Sequence, residues 1–193
     1  MSDVSNAIMD AAERRMRLGG FGGFSFRELA ADVGVKSSSV HYYFPTKESL
    51  GAAVVRRYTD RLAEKVDAEL AKGADACEVL ANAFRSTAHS DSCMCPIVVM
   101  GAASGDLPAE VFGQVQRFYR MCLEKLVKHG MSQSQAAEFL STTTGAMVVA
   151  KALGDRTLYD RATTEVVKAS LANSREDSAS VEGRSAAARR AAS

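Results

Sequence analysis

Apolar residues recur every three or four positions along most of this chain, as in Leu62, Val66 and Leu70 and again in Phe118, Cys122 and Leu126. Clean period-two alternation is absent. Such spacing buries one side of a segment only if the segment is an α-helix, so an all-α fold is expected. Pro45, Pro96 and Pro108 are the only prolines, and none interrupts a long periodic segment. With 193 residues, 47% of them hydrophobic, the chain can build a packed core as one domain or two small ones. No run of about 18 apolar residues occurs, so no membrane partner is expected.

Breakers divide the periodic stretches. A first helix is predicted from about Asn6 to Leu18, closed by Gly19-Gly20-Phe21-Gly22-Gly23. Ser25 followed by Glu28 forms a capping box for a short helix ending near Val33, with Gly34 as the turn. A second short helix spans about Ser37 to Tyr43. Thr46 then caps a long helix running to about Lys72. Further helices are predicted at about 75–90, 94–104, 108–129, 133–153 and 156–172, with breaks at Gly105, Gly130 and Gly154. From Asn173 the composition turns to Ser, Ala and Arg, and residues 174–193 are expected to be a disordered tail.

The stretch from Phe24 to Tyr43 has helix-turn-helix spacing. Leu29, Val33, Val35 and Val40 supply the seam between two short helices, and Ala30 leaves room for their approach. The second helix displays Ser37, Ser38, Ser39, His41 and Tyr42, whose hydroxyls and rings suit phosphates and base edges in a major groove. Lys+Arg total 24 against 23 for Asp+Glu, so any DNA affinity must reside on a local face.

The run His41-Tyr42-Tyr43-Phe44-Pro45-Thr46-Lys47-Glu48-Ser49-Leu50 resembles the junction between recognition helix and fourth helix in TetR-family transcriptional regulators. Ile8, Ala11, Ala12, Met16, Gly20 and Phe21 fit that family's first helix, and Ser25, Arg27, Leu29 and Ala30 the start of its second. Roughly residues 6–57 carry the resemblance. Arg15, Phe26, His41 and Tyr42 depart from it: Arg15 stands where a large apolar residue is usual, and Phe26 where a small or aliphatic one is. The resemblance implies a three-helix DNA-binding domain (1–46) and a helical effector-binding and dimerisation domain (47–173). It implies DNA contacts from Ser25, Arg27, Lys36, Ser37, Ser38, Ser39, His41, Tyr42, Tyr43 and Lys47, the last lying in a helical first turn suited to an anion. The expected protein is a homodimeric, cytoplasmic, nucleoid-associated repressor. Double-stranded operator DNA and a small, mainly apolar effector would be its partners.

Candidate effector contacts are the large or sulfur-bearing side chains of the middle helices: Phe84, His89, Cys93, Met100, Phe112, Phe118, Met121, Cys122, Phe139 and Met147. Phe and Met at helical spacing are more often core than ligand contacts. The final helices, with Thr142-Thr143-Thr144-Gly145-Ala146, Ala150, Leu153, Leu158, Val166 and Leu171, are expected to form the dimer. The four cysteines (Cys77, Cys93, Cys95, Cys122) are too few for a disulfide scaffold, which agrees with a reducing compartment. Cys93 and Cys95 leave a thiol-sensing alternative, since an accessible low-pKa thiol reacts readily. No metal site or cofactor is expected, because paired zinc-binding knuckles are absent. Neither G-x-S-x-G, H-E-x-x-H, a Walker loop nor G-x-G-x-x-G occurs, so an enzyme in the helical half is disfavoured. Activation rather than repression stays open.

Overall fold

The computed structural model describes residues 3–90, 94–170 and 172, and no strand occurs among them. The helices are α1 (Asp3–Gly19), α2 (Phe26–Val33), α3 (Ser37–Tyr43), α4 (Lys47–Leu70), α5 (Ala76–Ala88), α6 (Pro96–Ala102), α7 (Ala109–Lys128), α8 (Gln133–Leu153) and α9, residues 156–170. The fold is all-α, as the spacing predicts. Cys93, Leu171 and the 174–193 segment lie outside the described residues.

Local chemistry sets the helix ends. Ser25 and Glu28 form the reciprocal capping box, the Glu28 amide donating to Ser25 Oγ and the Ser25 amide to Glu28 Oε2. Thr46 and Ser49 repeat the arrangement at α4, and Ser132 with Gln135 at α8. Gly34 closes α2 at φ +76°, a left-handed conformation that costs glycine little, and this lets the chain turn directly into α3. The glycine-rich run after α1 does more than end a helix: Gly20–Gly23 winds into a 3₁₀ turn that carries Phe21 onto α4. There Gly51 meets it. A side chain at Gly51 would begin 2.8 Å from the Phe21 ring, so the helix-weakening glycine is repaid by close packing.

α1, α2, α3 and the start of α4 form a head whose core holds Ile8, Met16, Phe24, Leu29, Val40 and Leu50, each at most 2% exposed. Burying such side chains contributes about 1.5–3 kcal/mol each. The body is built on α4, which packs most extensively along α7. At its centre the Phe118 ring lies 6.0 Å from Tyr58 of α4 and 6.3 Å from Phe84 of α5.

Head and body are joined by charge as well as by apolar packing. Glu13 of α1, only 8% exposed, accepts from Arg17 at 2.8 Å and from Arg61 of α4, and lies 3.7 Å from Arg57. Arg17 also donates to the Met94 carbonyl at 3.0 Å and lies over the Tyr58 ring. One arginine therefore touches α1, α4 and the segment entering α6.

Candidate nucleic-acid interface

The capping box orients α2, the Gly34 turn sets α3 against it, and buried Val40 anchors α3 to the head. This leaves the other side of α3 in solvent. Ser37, Ser38, His41 and Tyr42 are exposed, Tyr42 at 81%, while Ser39 and Tyr43 are half-buried. Lys36, the residue before α3, is exposed too.

The departures from the family pattern are structurally coupled. His41 packs edge-on against Phe26, ring centroids 4.6 Å apart, so the unusual residue on α2 meets the unusual residue on α3. Arg15 does not loosen the first helix, as the loss of an apolar residue there suggests. It grips α2 instead, donating to both Asp32 carboxylate oxygens at 2.6 and 3.0 Å and to Glu28 at 3.1 Å. Hydrogen bonding to Arg15 holds Asp32 below the usual carboxylate range, and the Ser25 bonds do the same for Glu28.

Ser25 carries an internal engagement that its expected phosphate contact must share. Its hydroxyl donates to Glu28 Oε2 at 2.8 Å, which places a carboxylate beside it. Arg27, next on the same helix, is exposed and has no partner among the described residues. Lys47 is held more firmly than a solvated lysine. Its ammonium sits 4.6 Å from the Phe24 ring centroid and 4.9 Å from that of Phe21, a two-ring cation–π seat at the start of α4. The sequence motif located Lys47, but nothing in the pattern signalled the aromatic seat.

The expected effector contacts are spread out. Phe84, Met100, Phe118, Cys122, Phe139 and Met147 are buried in the core, while Phe112 and Met121 are half-buried. His89 is at the surface, paired with Asp160 at 3.0 Å. Of this set, Met147 borders a distinct cleft, which it shares with Tyr159 and Arg156, residues the sequence reading did not single out. The described thiols are all buried. Burial pushes Cys77 up to about 12 and raises Cys95 and Cys122 as well, which disfavours their thiolates.

Among the described residues, no helix is long and apolar enough to cross a membrane. A sequence model described as bacterial regulatory proteins, tetR family, matches residues 8–54, the head and the first turns of α4. No curated protein sequence matches the chain. In fold, the chain is similar to a TetR transcriptional regulator from Legionella pneumophila, with TM-score 0.78, 26% identity, and 88% of this chain and 98% of that one covered. A TetR-family regulator from Agrobacterium tumefaciens gives TM-score 0.76 at 23% identity, covering 86% and 96%. The reduced form of NemR from E. coli gives 0.73 at 20%, covering 86% and 95%. These two likenesses speak to fold alone. Members of the family are transcriptional regulators, not enzymes. In sequence at the head, over residues 8–54, and in fold over most of its length, the chain is similar to the TetR family of DNA-binding transcriptional regulators.

Proposed function

We propose that the protein is a homodimeric repressor in which residues 1–46 read operator DNA and residues 47–173 pair two chains and respond to a small, mainly apolar effector. The observation that carries the DNA-reading half is the exposed side of α3, held on a rigid head beside Lys47 at the start of α4. Ser37, Ser38, Ser39, His41 and Tyr42 would face the major groove. Arg27, Lys36, Tyr43 and Lys47 would contact the backbone, with Ser25 contributing beside its cap.

Pairing is supported by α8. Gly145, Val148, Val149, Ala152 and Leu153 follow the spacing of one helical side, and all are exposed, Val148 at 42%, Val149 at 45% and Leu153 at 67%. A monomer rarely leaves such an apolar row in water, and a second copy related by a two-fold axis would cover it with itself. Thr143, Ala146 and Ala150 pack inward instead, so they belong to the subunit's own core. A two-fold dimer would set two heads on half-sites about one helical turn, ~34–36 Å, apart. An effector preferring a different head spacing would release the operator by its differential binding energy.

Two variants test the reading head, assayed by retention of double-stranded DNA across a salt series. Lys47→Ala is expected to weaken binding about equally on all sequences and to flatten the salt dependence by about one unit of slope. Tyr42→Ala, at an exposed side chain, is expected to change base preference in a randomised-operator selection while leaving the salt slope alone. A Lys47 effect that varied with operator sequence would refute the backbone role. Absence of any salt-sensitive DNA retention by the wild-type dimer would remove the function.

A further inference from the structure

Tyr159 of α9 is fully buried, and its hydroxyl has no hydrogen-bond partner among the described residues. An unpaired buried hydroxyl is destabilising, so one that persists needs a reason. Tyr159 lines a cleft of about 240 Å³ between the end of α5, the last turns of α8 and the first turn of α9. Ala88, Met147 and Ala150 make its apolar floor, all at most 6% exposed. Lys151 and Arg156 stand at the rim.

Arg156 brings a guanidinium to this rim. Arg156 donates one N–H to the His89 carbonyl at 3.1 Å, tying α9 to the end of α5, and its other N–H groups have no partner among the described residues. Asp160 is already engaged by Arg85 at 3.1 Å and His89 at 3.0 Å, and Asp155 by Thr157 and Arg161. Burial also raises the Tyr159 pKa, so its hydroxyl stays a donor. A cavity of about 150 Å³ accepts one benzene ring. The larger volume here has room for a ring and a small polar head.

We propose that this cleft binds a small aromatic carboxylate, its ring on Met147 and Ala150 and its carboxylate received by the Tyr159 hydroxyl and the Arg156 guanidinium. The effector role of this site rests on the ligand-responsive reading above; the binding itself does not. Position supports the role. Met147 Sδ accepts from the Cys95 amide at 3.3 Å, and the neighbouring Met94 carbonyl accepts from Arg17 of α1. The cleft floor is thus linked through two adjacent residues to the DNA-reading head.

Benzoate and its neutral counterpart toluene are suitable probes, read by the methyl resonance of ¹³C-methionine-labelled protein, with Met147→Leu supplying the assignment. Benzoate at millimolar concentration is expected to move the Met147 methyl saturably, whereas toluene binds at least tenfold more weakly. Tyr159→Phe is expected to weaken benzoate about tenfold while raising the melting temperature by a few degrees, because it removes the unpaired hydroxyl. Arg156→Gln, a surface change that loses only the exposed bond to the His89 carbonyl, is expected to weaken benzoate similarly with at most a small fall in the melt. A Met147 methyl unmoved by benzoate overturns the site, and equal binding of toluene overturns the carboxylate assignment. A Tyr159→Phe protein that melts lower and binds benzoate as the wild type does would make the hydroxyl a structural group only. The titration needs no DNA, so its failure leaves the DNA-reading proposal standing, and failure of DNA retention leaves the cleft standing.

Discussion

Val149→Asp is expected to yield a folded monomer that has lost most of its operator affinity. Val149 is 45% exposed in the single chain, so aspartate there costs the isolated subunit about 0.5 kcal/mol or less. In a two-fold dimer covering Gly145, Val148, Val149, Ala152 and Leu153, each interface would bury two new carboxylates, because symmetry repeats every substitution. Each loses several kcal/mol of hydration with no counter-charge to replace it, so the dimer constant should weaken at least about a thousandfold. A monomer engages one half-site. Its salt slope on operator DNA should therefore fall to about half, since that slope counts phosphate contacts. Sedimentation at several concentrations, paired with DNA retention, reads both effects. A variant still dimeric at the wild-type constant would show that α8 is not the pairing surface. A monomer with undiminished affinity and salt slope would separate pairing from DNA reading.

Much of this architecture was legible beforehand because its determinants are local. The Ser25–Glu28 box, the Gly34 turn and the Thr46 cap are each decided within a few residues, and the described helices end within a few residues of where breakers placed them. The helix-turn-helix head was legible for a different reason: its apolar seam, with Leu29 and Val40 fully buried, sits at a fixed spacing that a motif can carry. What escaped the sequence is what distant residues do to one another. Arg15 looked like a misfit in an apolar stripe until Asp32 and Glu28 were found opposite it. Phe26 and His41, fifteen positions apart, looked like two independent departures although they are a single ring contact. Spacing alone also cannot divide a row of Phe and Met between core and cleft. Only packing shows Phe118 enclosed by Tyr58 and Phe84 while Met147 borders open space beside Tyr159.

Glu13→Ala is expected to lower stability by about 2–3 kcal/mol, with a fall in melting temperature of about 5–10 °C, and to weaken DNA binding without touching the reading surface. The reasoning follows the charges. Glu13 is the shared counter-ion of Arg17, Arg57 and Arg61, and the first two are themselves only 19% exposed. Deleting it leaves two half-desolvated guanidinium groups without their shared counter-ion at the joint between α1 and α4, and Arg57 Nε already lacks a partner among the described residues. Residual solvent access to the arginines places the expected cost below the ~3–5 kcal/mol of a fully buried broken pair. Three surviving bonds soften the loss further: Arg57 to Asp10 at 2.6 Å and to the Asn6 carbonyl at 3.5 Å, and Arg17 to the Met94 carbonyl. Glu13→Gln keeps an acceptor but no charge, so it should fall between wild type and alanine. Thermal melts of the three proteins, with DNA retention measured well below each transition, separate a loosened head from simple unfolding. An alanine variant as stable as the wild type would mean that these arginines are satisfied by water. The tie between head and body would then rest on apolar packing and the surviving Arg57 and Arg17 bonds.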